Sequence, residues 1–362
     1  MNNIIFHVPY FVDENRLSGS SIRPMKLLQG FKDIGYNVDV VMGYGSTRKE
    51  SIAKIKQKIE QGTSYDFCYS ESSTMPTLLT EKNHLPSYPF LDFDFFKFLK
   101  SKGVKIGLFY RDIYWLFEEY KKSVSHSKRL ISTFFYKYDL KKYEELVDII
   151  YLPSLKMKRY IPINQNLQFY ELPPGIDERG DYTKEPSADM KFFYVGGLGD
   201  LYQLDEFLKA VNSLEFAYLT ICTRKDEWES LKDRYSPYLN DRINIIHEDP
   251  KGYEPFLKEA DIGVLFVKPV EYRDFAVPVK LFEYIKYSKP ILTVEKTAVG
   301  DFVEKHNIGW SLPYSSYELK LLLNRLYENR TEIDEKKKNT QEIIHKHTWK
   351  ARALKVKEDL TK

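Results

Sequence analysis

The sequence predicts an α/β protein made of two doubly wound, Rossmann-like domains that face each other across a cleft. Its 362 residues exceed what one ordinary hydrophobic core needs. Short apolar segments alternate with amphipathic ones, which is the pattern of parallel βαβ units. The alternation stops at a polar segment with glycine and proline and then restarts. We therefore expect domains at 1–176 and 191–344, joined by a linker at 177–190.

The strands and helices follow in chain order. The strands expected in the first domain are NIIFHVP, NVDVVMG, SYDFCYS, VKIGLFY, VDIIYLP and NLQFYELPPG, and its first helices are MKLLQGFKDIG, KESIAKIKQKIEQG and FFKFLKSKG. The strands expected in the second are KFFYVGG, FAYLTICT, INIIHED, DIGVLFV and PILTVE, and its helices are LDEFLKAVNS, GYEPFLKEA, PVKLFEYIKYS and TAVGDFVEKHN. Ligands of such sheets bind at the carboxyl ends of the strands.

Composition narrows the classes of function. The net charge is only +3, which argues against a nucleic-acid partner because such proteins carry a strong basic excess. Cys68 and Cys222 lie far apart in apolar runs, as buried thiols of a reducing compartment do. The N-terminal segment lacks a signal-peptide pattern, and no apolar run is long enough to span a membrane. We expect a cytoplasmic protein, either free or at the inner face of the cytoplasmic membrane.

The segment FAVPVKLFEYIKYSKPIL, at 275–292, combines an anion site with a hydroxyl acceptor. Pro278 favours the first turn of a helix, and the free N–H groups around Val277 attract an anion. Lys280 adds a positive charge there, and Glu283, one turn later, can accept hydrogen bonds from a ribose. This spacing describes a nucleoside diphosphate; a solvated Lys–Glu pair on a surface helix is the alternative.

The same spacing predicts which face of this helix packs on the sheet. Leu281, Phe282 and Ile285 are expected to face the sheet. Tyr284 and Tyr287 are expected on the opposite face, beside the lysine and the glutamate.

VPVKLFEYIKYSKPILTV resembles the donor-binding segment of GT-B glycosyltransferases, in particular the family 4-like group (group 1). The resemblance extends to FHVPYFVDENRLSGSSIRPMKLLQGFKDIGYNVDVVMG, ELPPGID, FFYVGGLGDLYQLDEFLKAV, FLKEADIGVLFV and HTWKARALKV, and so covers nearly the whole chain. It implies a GT-B fold whose C-terminal helix, at 345–362, crosses back to the first domain. It also implies transfer from a nucleotide-diphosphate sugar, with UDP as the expected nucleotide, in a retaining reaction that needs no metal or other cofactor.

The sequence departs from the family pattern on the donor side. Phe275 stands eight residues before Glu283, where many members carry a first glutamate, and GGLGDLYQ replaces the usual Gly-Arg followed by Lys. Arg224, Lys225 or Arg273 is expected to supply the missing charge. The resemblance implies that Glu283 binds the ribose and that Lys280 lies near the diphosphate. Together with the residues at the strand ends and loops, we expect these donor contacts: Glu283, Lys280, Pro278, Val277, Arg224, Gly197, Gly19 and His247.

The acceptor side is expected in the first domain. Arg111 and Asp112 end the strand in GLFYRDIYWLF, where they can orient an acceptor hydroxyl or act as a base; a structural ion pair that caps the next helix is the alternative. Trp115 follows them, and Glu71 with Ser72 ends the preceding strand. We therefore expect Asp112 and Arg111 to be catalytic and Glu71, Ser72 and Trp115 to bind the acceptor.

Two further patterns concern metals and membranes. Asp92 and Asp94 form an Asp-x-Asp pair, but they begin a helix, where acidic residues are favoured anyway, so we expect no metal site. The segment 121–142 carries seven basic residues against one acidic residue, with apolar residues between them. It is expected either to contact an anionic membrane or to form an ordinary solvated helix.

The function that the resemblance implies is sugar transfer to a glycan or a lipid-linked acceptor in the synthesis of a cell-surface polysaccharide. The departures on the donor side leave a non-catalytic subunit of the same fold as one alternative. A nucleotide-sugar epimerase is another, although the cluster of acids and histidine that such an enzyme needs is not evident in the sequence.

Overall fold

The structure is a computed structural model that describes residues 2–13, 19–164, 166–177 and 187–362. The chain divides into two compact units. The first contains Met1–Gly175 and Trp349–Lys362, and the second contains Ile176–Thr348. Most of the expected linker, at 178–186, lies outside the described residues.

The first unit is built on one parallel sheet. Its strands are β1 (Asn3–Val8), β2 (Asn37–Met42), β3 (Phe67–Glu71), β4 (Lys105–Phe109), β5 (Ile149–Leu152) and β6 (Gln168–Glu171), in the order β2-β1-β3-β4-β5-β6. Its helices are α1 (Gly19–Asp33), α2 (Gly45–Glu60), α3 (Leu91–Ser101), α4 (Glu118–Ser123), α5 (His126–Leu146) and the last helix of the chain, α13 (Trp349–Leu360). Short 3-10 helices lie at Thr77–Leu79, Tyr114–Leu116 and Leu155–Tyr160.

The second unit repeats this plan. Its strands are β7 (Met190–Val195), β8 (Ala217–Cys222), β9 (Ile243–Ile246), β10 (Ile262–Leu265), β11 (Ile291–Val294) and β12 (Gly309–Leu312), in the order β12-β11-β10-β7-β8-β9. Its helices are α6 (Asp205–Asn212), α7 (Lys225–Tyr235), α8 (Pro250–Glu259), α9 (Val279–Lys286), α10 (Ala298–His306), α11 (Ser316–Glu328) and α12 (Thr331–Ile343). Short 3-10 helices lie at Ser236–Tyr238, Glu271–Arg273 and Ile344–His347.

Each strand order changes direction once. The change lies between β1 and β3 in the first sheet and between β7 and β10 in the second. In open parallel sheets, ligands bind outside the carboxyl ends of the strands at such switch points. The loops after these four strands are therefore where a ligand is expected in each unit.

The last helix completes the core of the first unit. Trp349, Ala353, Val356 and Leu360 form its buried face and pack into the same hydrophobic cluster as β1. Gly30 of α1 allows the close approach, because a Cβ there would lie 2.8 Å from the Trp349 carbonyl oxygen. The predicted fold class, two parallel sheets with helices on their faces, is confirmed. Within the described residues, every helix is too short or too polar to cross a bilayer.

Candidate functional site

Three basic residues gather at the switch point of the second sheet. Lys268 and Arg273 belong to the segment between β10 and α9, and Lys280 is the second residue of α9. All three line one pocket. Its wall also contains Tyr194, Tyr202, Pro278, Thr293 and Thr297.

Lys280 points to the loop that follows β7. Its Nζ lies 5.1 Å from the ring centroids of both Tyr194 and Tyr202, where the negative faces of the rings attract the ammonium. Gly196 makes room for it. The φ angle of Gly196 is +150°, and a Cβ at this residue would lie 1.6 Å from Lys280 Nζ. A side chain at position 196 would therefore be strained and would displace the lysine.

Arg273 contacts the same tyrosine. Its Cζ lies 4.0 Å from the ring centroid of Tyr202. Among the described residues, neither Arg273 nor Lys280 has a side-chain hydrogen bond or an ion-pair partner. Two positive charges held in one pocket repel each other, and an anion between them would remove that repulsion.

The surroundings of Lys280 lower its proton affinity. Its pKa is lowered to about 7, first by burial and then by repulsion from Arg273, while the Glu283 carboxylate acts in the opposite direction. The residue as a whole is half-buried, and the pocket gives a ligand access to it. An anion bound there would favour the ammonium and raise its pKa again.

Glu283 lies one turn after Lys280, on α9. Tyr253 OH is 3.4 Å from each of its two carboxylate oxygens. Burial raises the pKa of Glu283, and the charge of Lys280 opposes that change. The carboxylate can accept further hydrogen bonds, as a ribose diol would require. Glu283 is not among the described residues that line the pocket of Lys280. The two side chains therefore offer a ligand an ammonium and a carboxylate at separate places along one helix.

The expectation that Tyr284 faces away from the sheet is wrong. Its side chain is fully buried, and its OH lies 3.2 Å from Val195 N and 3.4 Å from Val264 O. Position 284 lies three residues after Leu281 and so shares its face of the helix. Gly263 of β10 leaves room for the ring, since a Cβ there would lie 2.4 Å from Tyr284 Cδ2.

Two donor-side candidates lie at the ends of β8 and β9. Arg224 is the exposed residue before α7, and its positive charge contributes to the lowered pKa of Lys280. His247 follows β9 and is exposed. Its Nδ1 is 2.9 Å from the Thr223 carbonyl oxygen, which leaves Nε2 for another partner.

The other three candidates of this unit contribute backbone or apolar surface. Gly197 accepts a hydrogen bond from Tyr194 OH at 2.5 Å through its carbonyl oxygen. Val277 and Pro278 are half-buried and precede α9. Pro278 has no side-chain cap and lines the pocket of Lys280.

Glu227 is a functional candidate that the sequence analysis missed. It lies in the first turn of α7, and its Oε1 accepts hydrogen bonds from Leu198 N at 2.8 Å and Gly199 N at 3.1 Å. These are the amide groups of the glycine-bearing loop after β7, which otherwise suit an anion. An acidic residue in a first helical turn is the only signal in the sequence, because the contact joins residues about thirty positions apart.

In the first unit, Glu71 and Arg111 belong to a buried ion-pair network. Glu71 ends β3 and is fully buried. Its carboxylate lies 2.7 Å from Arg111 and 3.2 Å from Arg23. Tyr10 OH accepts a hydrogen bond from Arg111 at 2.9 Å, and burial raises the pKa of Tyr10 to about 12. The network ties together the loops at the carboxyl ends of β1, β3 and β4.

Arg111 also holds the backbone around it. Its Nη1 donates to the Gly19 carbonyl oxygen at 3.1 Å, and its Nε donates to the Ser72 carbonyl oxygen at 3.3 Å. Ser72 Oγ in turn accepts from Arg111 N at 3.0 Å and is buried. Hydrogen bonds thus connect Arg111, Gly19 and Ser72, which the sequence analysis had selected separately.

Asp112 and Trp115 stabilise the turn after β4. Asp112 Oδ1 accepts from Tyr114 N at 3.0 Å. Trp115 is buried, stacks on Tyr136 with ring centroids 4.9 Å apart, and donates to Tyr110 OH at 3.3 Å. Asp112 is half-buried, so it is more accessible to a ligand than Trp115.

A second buried network surrounds Asp92. Arg48 Nε and Nη2 donate to its two carboxylate oxygens at 3.0 Å each. His7 Nε2 is 2.9 Å from the same carboxylate, and His7 Nδ1 is 2.8 Å from Ser70 Oγ. Burial opposes ionisation of Asp92, but the contacts with His7 and Arg48 outweigh it and lower the pKa. The serine–histidine–aspartate order is that of a hydrolase triad, but all four residues are buried and the aspartate is paired with Arg48.

No protein-family model matches the chain, and no curated protein sequence matches it. Solved structures do match. A glycosyltransferase from Rickettsia africae superimposes with a TM-score of 0.66 at 12% identity and covers 100% of this chain and 99% of its own. A sucrose-phosphate synthase from Thermosynechococcus elongatus has a TM-score of 0.61 at 13% identity and covers 99% and 98%.

A third match is WaaG, a glycosyltransferase involved in lipopolysaccharide biosynthesis, with a TM-score of 0.60 at 13% identity over 99% of both chains. At such low identity the likeness concerns the fold. It extends over the full length of the chain and includes both six-stranded sheets. The chain has the GT-B fold that these structures share.

Proposed function

We propose that the protein is a glycosyltransferase that moves a sugar from a nucleotide-diphosphate sugar to a glycan or lipid-linked acceptor. The observation that carries this proposal is the pair Arg273 and Lys280, two positive charges in one pocket for which the described residues provide no ion-pair partner. They lie at the switch point of a parallel sheet, where nucleotides bind in folds of this kind. The GT-B fold supports sugar transfer as the reaction but does not select the substrate.

The proposed reaction breaks the bond between the sugar C1 and the diphosphate oxygen. Positive charge develops on the sugar and negative charge on the departing diphosphate. Lys280 and Arg273, with the amide groups at the start of α9, stabilise that negative charge. We propose that these groups replace a metal ion. Glu283 accepts the ribose hydroxyls, and His247 and Arg224 lie toward the rest of the nucleotide.

We further propose a retaining reaction, as in the family that the sequence resembles. The leaving diphosphate then takes the proton of the acceptor hydroxyl, and Asp112 positions the acceptor rather than acting as the base. Arg111 and Glu71 hold the loops of the acceptor side in place through their ion pair. WaaG is named for a role in lipopolysaccharide biosynthesis, and we propose a cell-surface glycan as the product here too.

A thermal-shift screen against UDP, GDP, dTDP, CMP and ADP, each with and without magnesium, tests the donor assignment. We expect one diphosphate, UDP first, to raise the melting temperature equally with and without magnesium. Glu283→Ala should abolish binding of that nucleotide in titration calorimetry. Glu259→Ala, at an exposed glutamate of α8, is the matched control. Unchanged affinity in Glu283→Ala would refute the donor site.

One observation favours a non-catalytic subunit as the second candidate. The Glu227 carboxylate already occupies the amide groups of Leu198 and Gly199, which a donor phosphate would otherwise use. A protein of that kind would bind the nucleotide but would not release it from a nucleotide sugar. Measuring release of UDP from UDP-sugars, with and without candidate glycan acceptors, separates the two functions.

We also propose that α5 contacts an anionic membrane surface, which suits a lipid-linked acceptor. Leu130, Ile131 and Phe134 lie on its outer face and are each more than half exposed. Basic residues flank them on both sides: Lys121, Lys122 and Lys128 before them, and Lys137 and Lys141 after them, all exposed. Exposed apolar side chains between cations are what a monolayer of anionic lipid can accommodate.

Cosedimentation with phosphatidylglycerol vesicles tests this contact. The protein should bind them, bind phosphatidylcholine vesicles weakly, and be released by salt. Phe134→Ala should reduce binding several-fold, because it removes apolar area from the inserted face. Phe90→Ala, at a phenylalanine of the first unit that is as exposed as Phe134, is the control. Equal loss in both variants would argue against α5 as the contact.

A further inference from the structure

A second pocket lies at the switch point of the first sheet. It is formed by the loops after three neighbouring strands. Tyr10 and Phe11 follow β1, Tyr44 follows β2, and Ser73 to Met75 follow β3. The residues that the sequence analysis assigned to the acceptor, Glu71, Ser72 and Trp115, are buried behind these loops. Unlike these residues, the pocket is accessible at this edge of the sheet.

The pocket has an aromatic platform. The rings of Phe11 and Tyr44 stack with centroids 5.3 Å apart and an interplanar angle of 9°. Phe11 nevertheless remains 55% exposed, and Met75 on the same wall is 38% exposed. The exposed surfaces of Phe11 and Met75 are apolar. A ligand that covered them would remove apolar area from water, which favours binding.

The rest of the wall offers hydrogen bonds. Within the described chain, Tyr44 OH, Thr74 Oγ1 and Lys82 Nζ bond to no other residue. Glu81 uses one carboxylate oxygen for Gly45 N at 2.7 Å and keeps the other. Donors and acceptors of both charge signs surround the platform, so the wall favours a neutral ligand rich in hydroxyl groups over an anion.

One residue of the pocket wall, Tyr10, is held by the buried network. Tyr10 lines the pocket, and its OH accepts from Arg111, which is paired with Glu71. Tyr10 OH also donates to the Ser20 carbonyl oxygen at 3.1 Å. This part of the wall is thus held in place before any ligand arrives, which reduces the entropy that binding would cost.

We propose that this pocket is a carbohydrate subsite that binds a neutral hexopyranoside, with the C–H face of the sugar on Phe11 and its hydroxyls on Tyr44, Thr74 and Glu81. A pyranose presents several C–H groups on one face and hydroxyls around its rim, which matches an aromatic platform with a polar border. That this sugar is the acceptor rests on the proposed function. Phe11 is then the residue that selects a pyranose over other acceptors.

Saturation-transfer NMR on the full chain tests the subsite, with methyl glycosides of glucose, galactose, mannose and N-acetylglucosamine as probes. We expect transfer to the C–H protons of at least one glycoside in the wild-type protein. Phe11→Ala should weaken binding of that glycoside about three- to tenfold, the range for loss of one aromatic contact. Phe11→Tyr keeps the ring and should retain the binding. Phe90→Ala, at an exposed phenylalanine outside the pocket, should leave it unchanged.

Two results would overturn the subsite: no transfer to any of the four glycosides, or equal transfer with Phe11→Ala and wild type. The nucleotide screen separates this outcome from failure of the proposed function. If the nucleotides shift the melting temperature but Phe11→Ala changes nothing, the subsite is wrong and the donor site stands. If no nucleotide binds but Phe11→Ala loses the glycoside, the subsite stands and the transferase assignment fails.

Discussion

Both sheets have basic residues at the carboxyl ends of their strands, but only those of the first sheet are paired with carboxylates among the described residues. In the first unit, Arg23 and Arg111 both pair with the Glu71 carboxylate, and Arg48 donates two hydrogen bonds to Asp92. In the second unit, Lys280 and Arg273 surround Tyr202 with no carboxylate partner among the described residues. The first arrangement places each of these cations beside a carboxylate of the protein. The second leaves them for a ligand.

This difference separates structural from functional charge. A partly buried cation without an ion-pair partner is unfavourable, and binding of an anionic ligand removes that cost. A cation that is already paired stabilises the fold, and its charge is not available to bind a substrate. The comparison therefore predicts that removing a charge destabilises the first unit and leaves the fold of the second intact.

The largest effect is expected for Asp92→Asn. The substitution keeps the shape of the side chain but removes the carboxylate that accepts two hydrogen bonds from the buried Arg48 guanidinium, which keeps only Glu81, 3.8 Å away, as a counter-charge. We expect a loss of about 3–5 kcal/mol in the free energy of unfolding, measured by urea denaturation of the first unit's transition. Lys280→Met is the matched variant in the second unit and should unfold at the same denaturant concentration as wild type or a higher one. A comparable loss in Lys280→Met would remove the distinction between the two edges.

The next effect concerns nucleotide affinity. Lys280→Met and Arg273→Met should each weaken binding of the nucleoside diphosphate about 10- to 100-fold, since each removes a charged contact to phosphate. Titration calorimetry measures both. Arg330→Met, at a basic residue of the same unit outside the pocket, should bind as wild type does. If Arg273→Met also binds normally, Lys280 acts alone and the missing charge lies elsewhere.

The sequence identified one half of this pocket. Lys280 and Glu283 were found because proline, lysine and glutamate occur at helical spacing in one segment. Arg273 was one of three candidates for the missing charge, and the contact with Tyr202 distinguishes it, since position 202 is distant in sequence and its ring meets both cations only after folding. Glu227 was missed for the same reason. Tyr284 was misassigned, although it lies three residues after Leu281 and therefore shares its face of the helix.

The first sheet shows the same limit. Its strands followed from apolar runs between helical segments, and all the pairings are parallel, as that pattern predicts. The ion pairs did not follow, because Arg48 meets Asp92 across 44 positions of sequence. Local spacing reports strands and helices, whereas partners of buried charges are set by the packing of distant elements.

A pH effect of intermediate size is expected on nucleotide binding by the second unit. The folded pKa of Lys280 is about 7, below the ordinary value near 10.4 for an unfolded lysine. Between these values the unfolded chain binds more protons, so the contribution of Lys280 to stability improves as pH rises. Nucleotide binding needs the ammonium, so affinity should fall as pH rises above about 7.

Binding at pH 8 should therefore take up a proton. The measured enthalpy of nucleotide binding should differ between Tris and HEPES, which have different ionisation enthalpies, and the difference should vanish in Lys280→Met. An enthalpy independent of buffer in wild type would mean that Lys280 is already charged without the ligand. It would then resemble the paired cations of the first unit.

The smallest effect is expected for Arg224→Ala. This residue precedes α7 and is exposed, so water screens its charge and a contact with nucleotide contributes little, about threefold or less in affinity. Raising the salt concentration should remove this contribution, while the effect of Lys280→Met persists because its pocket is partly shielded from solvent. Calorimetry with each variant at low and high salt measures both. A loss in Arg224→Ala as large as that in Arg273→Met, and insensitive to salt, would make Arg224 a direct diphosphate ligand and would extend the unpaired group to the end of β8.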